Sequence, residues 1–174
     1  MEQKITSHLT KGLVLSLILI VISVASTIFI KDLQQQQKFG WITYVIVIGG
    51  IAFCGFQYAK EMDGNVTFGN VFAHGFKVTA VVTSIFIVYT VLSLTVLFPE
   101  MKEKALEMAR EQMESQGKMS EEQIDGAIEI TRKGFLVFAI GGSLIGFLIM
   151  GALGAVLGGV IAKKNPNPTP FTQG

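Results

Sequence analysis

Four long runs of apolar residues alternate with polar segments along the chain. Residues 12–30 carry no charge and lie between Lys11 and Lys31, and residues 41–59 are likewise uncharged, end at Lys60 and have Trp41 and Tyr58 near their two ends. Residues 78–98 run from Lys77 to Pro99 and Glu100, and residues 134–162 run from Arg132 and Lys133 to Lys163 and Lys164. A helix rises about 1.5 Å per residue, so about 20 apolar residues cross the hydrocarbon core of a bilayer. Each run therefore predicts a transmembrane helix, with Trp41 as a membrane-interface anchor. The runs are continuous rather than alternating between lipid-facing and lumen-facing positions, which predicts helices and not barrel strands. The expected fold is all-α: a polytopic membrane protein with four transmembrane helices in one membrane domain over residues 1–164. Residues 12–30 can also be read as a cleaved signal sequence, with Ser23 and Ala25 at a cleavage spacing. The apolar run continues to Ile30, however, beyond the roughly 7–15 residues of a signal core.

The polar segments differ from one another. Residues 31–40, with Gln34, Gln35, Gln36 and Gln37, predict a plain polar connection. The second begins with the turn signal Asp63, Gly64 and Asn65, then places Phe68, Val71, Phe72, Gly75 and Phe76 at i, i+3, i+4, i+7 and i+8. That spacing puts Phe68, Phe72 and Phe76 on one helical face and Asn70, His74 and Lys77 on another, which predicts an interfacial helix leading into the third span. The alternative is that this segment simply extends the third span. In residues 99–133, Glu100 to Glu114 is rich in strong helix formers, with Met101, Ala105, Met108 and Ala109 along one side. Gly117 breaks that run, and Ser120 followed by Gln123 matches a capping box that starts a second helix. Ile124, Ala127, Ile128 and Phe135 then keep helical spacing into the fourth span. The expectation is a charged helical hairpin between helices three and four, whose methionines grip a partner or pack on the neighbouring helix. Residues 165–174, with Pro166, Pro168 and Pro170, predict an extended or disordered tail.

Composition agrees with a chain in two solvents. Hydrophobic residues make up 50% of the 174, and adding glycine while setting tyrosine aside brings the apolar share to about 59%, against roughly 45–50% in a soluble domain. Residues 99–133 carry 15 of the 27 charged side chains. A net charge of +1 gives no basic field for nucleic acid, and the single Cys54 excludes an intrachain disulfide and a cysteine metal cage. Lysine and arginine counts on the two sides nearly tie, but residues 99–133 are net −3 whereas Lys163 and Lys164 have no acid beside them. This favours both termini on the cytoplasmic side.

No ionisable residue falls inside the four uncharged runs, which weighs against a proton relay or an ion-coupled carrier. His8 and His74 lie in different segments, so there is no histidine metal spacing, and the second span offers Cys54 no base. No cofactor, metal or catalytic residue is expected. The strongest local signal is glycine. Gly142, Gly146, Gly154 and Gly158 stand in steps of four interrupted at Met150, and Gly151, Ala155 and Gly159 form a second ladder. Small residues four apart make a flat strip for close helix approach, against Gly50 and Cys54, against Thr79 and Thr83, or against a second copy of the chain.

The lysine-flanked lead from Lys4 to Lys11, the stretch from Thr67 to Phe72 with Gly75 and Phe76, the acidic third loop, and the glycine-rich fourth span closed by Lys163, Lys164, Asn165 and Pro166 form one pattern. It resembles a family of four-span membrane proteins of Bacteroidetes, the domain of unknown function numbered 4199. The resemblance covers nearly the whole chain; it implies a bacterial inner-membrane location and supplies no catalytic residues. The expected role is a non-catalytic helper or scaffold subunit of a membrane complex, meeting the lipid bilayer and either a second copy or another membrane protein through span four and the charged hairpin. The alternative is a passive transporter or lipid-carrier flippase lined by the Ser/Thr-rich third span.

Overall fold

The computed structural model describes residues 5–30 and 32–165. Lys4, Lys31 and the proline tail from Pro166 onward lie outside the described residues. Within them the chain forms five α-helices: α1 (His8–Phe29), α2 (Leu33–Glu61), α3 (Phe68–Leu92), α4 (Glu100–Gln116) and α5 (Glu121–Ile161). A short π-helical stretch, Ser93–Leu97, continues α3. Four segments, His8–Phe29, Lys38–Glu61, Phe68–Leu97 and Glu121–Ile161, are long and apolar enough to cross a membrane, as a multi-pass membrane protein requires.

Caps and breakers set the boundaries. The Ser7 side chain accepts the Thr10 N–H at 3.1 Å and starts α1. At α3 the Thr67 hydroxyl accepts the Asn70 N–H at 3.2 Å while the Asn70 side chain accepts the Thr67 N–H at 3.0 Å, so asparagine completes a capping box in place of Glu or Gln. Ser120 and Gln123 form the same reciprocal pair at the start of α5. The α3 helix loosens where the Phe98 N–H reaches the Ser93 carbonyl at 2.8 Å, five residues back. Pro99 disfavours helical backbone in the residue before it, and Phe98 accordingly leaves the helix at φ −140°.

Two expectations need correction. Gln34 to Gln37 are not a loop; they lie in the first turns of α2. Glutamine is a good helix former, so a polar run does not by itself end a helix. Residues 68–77 are likewise no separate interfacial helix, because α3 runs from Phe68 to Leu92 without a break. The second reading, extension of the third span, is the observed one.

The largest contact is between α3 and α5, followed by α2 with α5 and α1 with α3, and α4 lies along α5. A core of Leu15, Leu19, Val47, Ile51, Cys54, Val78, Val82, Phe147 and Ala155 sits among α1, α2, α3 and α5. Large apolar side chains on the outer faces, among them Leu17, Val45, Val88 and Ile145, are exposed. An outer surface this apolar belongs in lipid rather than water.

Candidate functional site

Glycines of α5 set how closely the helices approach. A Cβ placed on Gly154 would stand 2.7 Å from the Ile48 carbonyl oxygen, and one on Gly158 would stand 3.0 Å from the Ala52 carbonyl oxygen and 3.4 Å from the Gly55 Cα. These two residues therefore lie directly on the backbone of α2. Toward α3, Gly151 abuts Thr79, a Cβ placed on Gly159 would stand 2.6 Å from the Phe68 ring, and Ala155 is fully buried against Gly75. Higher up, a Cβ on Gly146 would stand 3.3 Å from the Tyr44 hydroxyl, while one on Gly142 would have no neighbour within 4 Å. Gly142 thus takes no part in this packing. The strip meets α2 on the Ile48, Ala52 and Gly55 face; Gly50 instead receives Leu15 of α1, and Cys54 is enclosed in the core.

The aromatic residues separate. Phe68, Phe72 and Phe76 stack in sequence with centroids 6.2 and 5.9 Å apart. Phe68 and Phe76 are exposed, whereas Phe72 is half-buried against the core. Trp41 is 70% exposed and meets Tyr44 edge-on. The face of α3 expected to be polar is partly buried: His74 joins Val71, Gly75 and Val78 in the interior. Its spacing of three from Val71 and four to Val78 puts it on the stripe that packs.

Around His74 the starts of α1 and α3 and the end of α2 converge on a group of polar side chains. The helices extend past the uncharged runs and take Lys11 and Glu61 inside. Lys11 Nζ lies 3.1 Å from Glu61 Oε2, with the two side chains 4% and 19% exposed. The same oxygen accepts the Thr6 N–H at 3.2 Å. A lone ammonium at such depth would cost several kcal/mol, roughly offset here by the facing carboxylate. The His74 ring stacks on Tyr58 at 4.3 Å, nearly parallel, and the His8 ring approaches edge-on at 6.3 Å. His74 Nε2 is buried with no hydrogen-bond partner among the described residues. A cleft of about 320 Å³ opens beside it, lined by His8, Tyr58, Asn70, His74 and Lys77 among others.

Chemically, this arrangement clamps three helix ends through the Glu61 carboxylate, which accepts from both Lys11 and the Thr6 N–H, and through a ring stack. Among the described residues no group of three His, Cys, Asp or Glu is placed to hold a metal ion. The sequence reading missed the cluster because Lys11 and Glu61 look like ordinary span-flanking charges. The available signal was their placement at the same end of consecutive antiparallel helices.

At the other end, α4 rests on α5 through Leu106, Ile124 and Ile128, with Ala109, Met113 and Phe135 around them. Leu106, not the methionine face, supplies the buried contact; Met101 and Met108 are half-buried. Arg110 pairs with Asp125, Arg132 with Glu103 at 3.0 Å, and Lys133 with Glu129 at 2.7 Å.

The family described as "Protein of unknown function (DUF4199)" matches residues 10–164. The match covers all five helices apart from the first two residues of α1. No curated protein and no solved structure matches the chain.

Proposed function

We propose that this chain, which belongs to the DUF4199 family, is a non-catalytic helper or scaffold subunit of a membrane complex. In this reading α4 and the first turns of α5 stand outside the bilayer as a charged hairpin and present themselves to a partner. The supporting observation is how the small residues of α5 are used: Gly151, Gly154, Gly158 and Gly159 are already occupied by α2 and α3 of the same chain. The hairpin, with 15 of the 27 charges, is then the surface left for recognition. We further propose a bacterial inner membrane, of the Bacteroidetes type, with both termini cytoplasmic, since Lys163 and Lys164 lie at one end and the net-acidic segment at the other.

The transporter alternative would need a polar lining in the third span. Thr79 and Thr83 are buried there, but the Thr79 hydroxyl donates to the Gly75 carbonyl at 3.0 Å, which leaves of the two the Thr83 hydroxyl without a partner among the described residues. One hydroxyl does not make a path.

Purification of the full chain in mild detergent tests the proposal. A stoichiometric partner is expected with the wild type and is expected to be lost when Glu107 and Glu111 are both changed to Lys. A lone oligomer, unchanged in the variant, overturns it in favour of the transporter reading.

A further inference from the structure

A second cleft, of about 690 Å³, opens where α2 and α5 end. Its walls are of two kinds. Phe56 and Ile161, 40% and 57% exposed, supply an apolar wall, and Lys60, Lys163 and Lys164 supply ammonium groups, with Asp63 the carboxylate on the lining. The rim is tied together by the Asn165 N–H, which donates to the Gly64 carbonyl at 2.7 Å and clasps the segment after α5 onto the turn after α2. Asp63 and Gly64 adopt φ 50° and 77° to make that turn. Lys164 folds back on α5 and donates to the carbonyls of Gly159 and Ala162, so it caps the helix and leaves its charge at the rim. Lys60 and Lys163 make no ion pair among the described residues.

We propose that this cleft binds an anionic phospholipid of the surrounding membrane, with Lys60 and Lys163 holding the headgroup phosphate and Phe56 and Ile161 receiving the first acyl carbons. Charge and depth agree on this occupant. Lys60 closes the apolar run 41–59 and Lys163 closes 134–162, so the ammonium groups stand where two spans reach the headgroup layer. Basic clefts between transmembrane helices at that depth select acidic headgroups. A free phosphate ion would use the lysines and leave the apolar wall uncovered, and a zwitterionic lipid brings its own cation to a lining that already holds three. The net-acidic hairpin at the opposite end gives no such preference.

Native mass spectrometry of the full chain in detergent, titrated with phosphatidylglycerol or with phosphatidylcholine of the same acyl chains, tests the site. Each lysine near the surface is worth roughly fivefold in affinity for an anionic lipid. The wild type should therefore prefer phosphatidylglycerol, and the double variant Lys60→Gln with Lys163→Gln should lose about thirtyfold for it while binding phosphatidylcholine as before. The double change to Arg should keep the preference, which separates lost charge from lost folding, and Lys118→Gln in the hairpin should leave it untouched. Equal binding of the two lipids by the wild type, or an unchanged preference in the Gln variant, overturns the proposal. Displacement of phosphatidylglycerol by an equal concentration of glycerol phosphate also overturns it and assigns the cleft to a soluble phosphate.

Discussion

At one end of the bundle a single ion pair, Lys11 with Glu61, is enclosed with its lysine 4% exposed; at the other, Arg110, Arg132 and Lys133 pair with acids through side chains 43–75% exposed. The chemistry is the same and the physics is opposite. The exposed pairs lie in high dielectric and are screened by salt, so each is worth about 0–1 kcal/mol. The enclosed pair adds little net stability when intact, yet loss of one partner strands the other away from water. One end is therefore an interlock that fails when broken, and the other is an adjustable surface resting on Leu106 and its neighbours.

The largest effect should come from breaking the interlock. Glu61→Gln leaves Lys11 without its counter-charge and should cost about 3–5 kcal/mol, toward the lower figure because the carboxylate is 19% exposed, read as a lowered thermal midpoint in detergent. A midpoint within error of the wild type would mean that Lys11 reaches water. Next comes Gly154→Leu, which drives a side chain into the Ile48 carbonyl and should cost about 1–3 kcal/mol, whereas Gly142→Leu, with open space around it, should be neutral. If Gly154→Leu lowers the midpoint without changing oligomer size, the contact lies within one chain; loss of a dimer peak alone would place it between chains. The smallest effect is expected where α4 lies against α5. Arg110→Ala should cost less than about 1 kcal/mol, and the cost should shrink as salt rises, while that of Glu61→Gln should hardly move. Parallel salt dependence of the two variants would erase the distinction between the ends.

Orientation sharpens the same contrast, because it decides which end meets which compartment. Alkaline phosphatase fused after Gly117 should be active in a bacterial host, and the same enzyme fused after Gly174 should be silent. The reverse pattern would turn the proposed topology over.

Four spans, the turn at Asp63 and Gly64 and the box at Ser120 and Gln123 were legible in the sequence, because each is written in one continuous stretch as length, spacing or a cap. The glycine strip was legible as a strip but not in its partners: Gly154 meets the carbonyl of Ile48, and nothing about an isoleucine marks its backbone as a docking surface. Gln34 to Gln37 look like a loop by polarity, but glutamine's helix propensity carries them into α2. His74 stands apart from the phenylalanines on the helical wheel but shares its stripe with Val71 and Val78, and that stripe is the face that packs. The Lys11–Glu61 pair joins residues 50 apart in sequence, so only the packing of α1 on α2 reveals it.

The continuity of α5 has a mechanical consequence. From Glu121 to Ile161 it is one unbroken helix about 60 Å long, seated on α2 at Gly154 and Gly158 and bonded to α4 through Arg132 and Asp125. Such a rod is a lever whose outer arm, next to α4, extends beyond a packed part that runs from Gly146 to Gly159. A sideways displacement at the α4 end reaches the packed part of the rod as a small tilt. The Gly154 contact is so tight that even a small tilt must change how α5 rides on α2, so force applied to the outer end is felt where the helices touch.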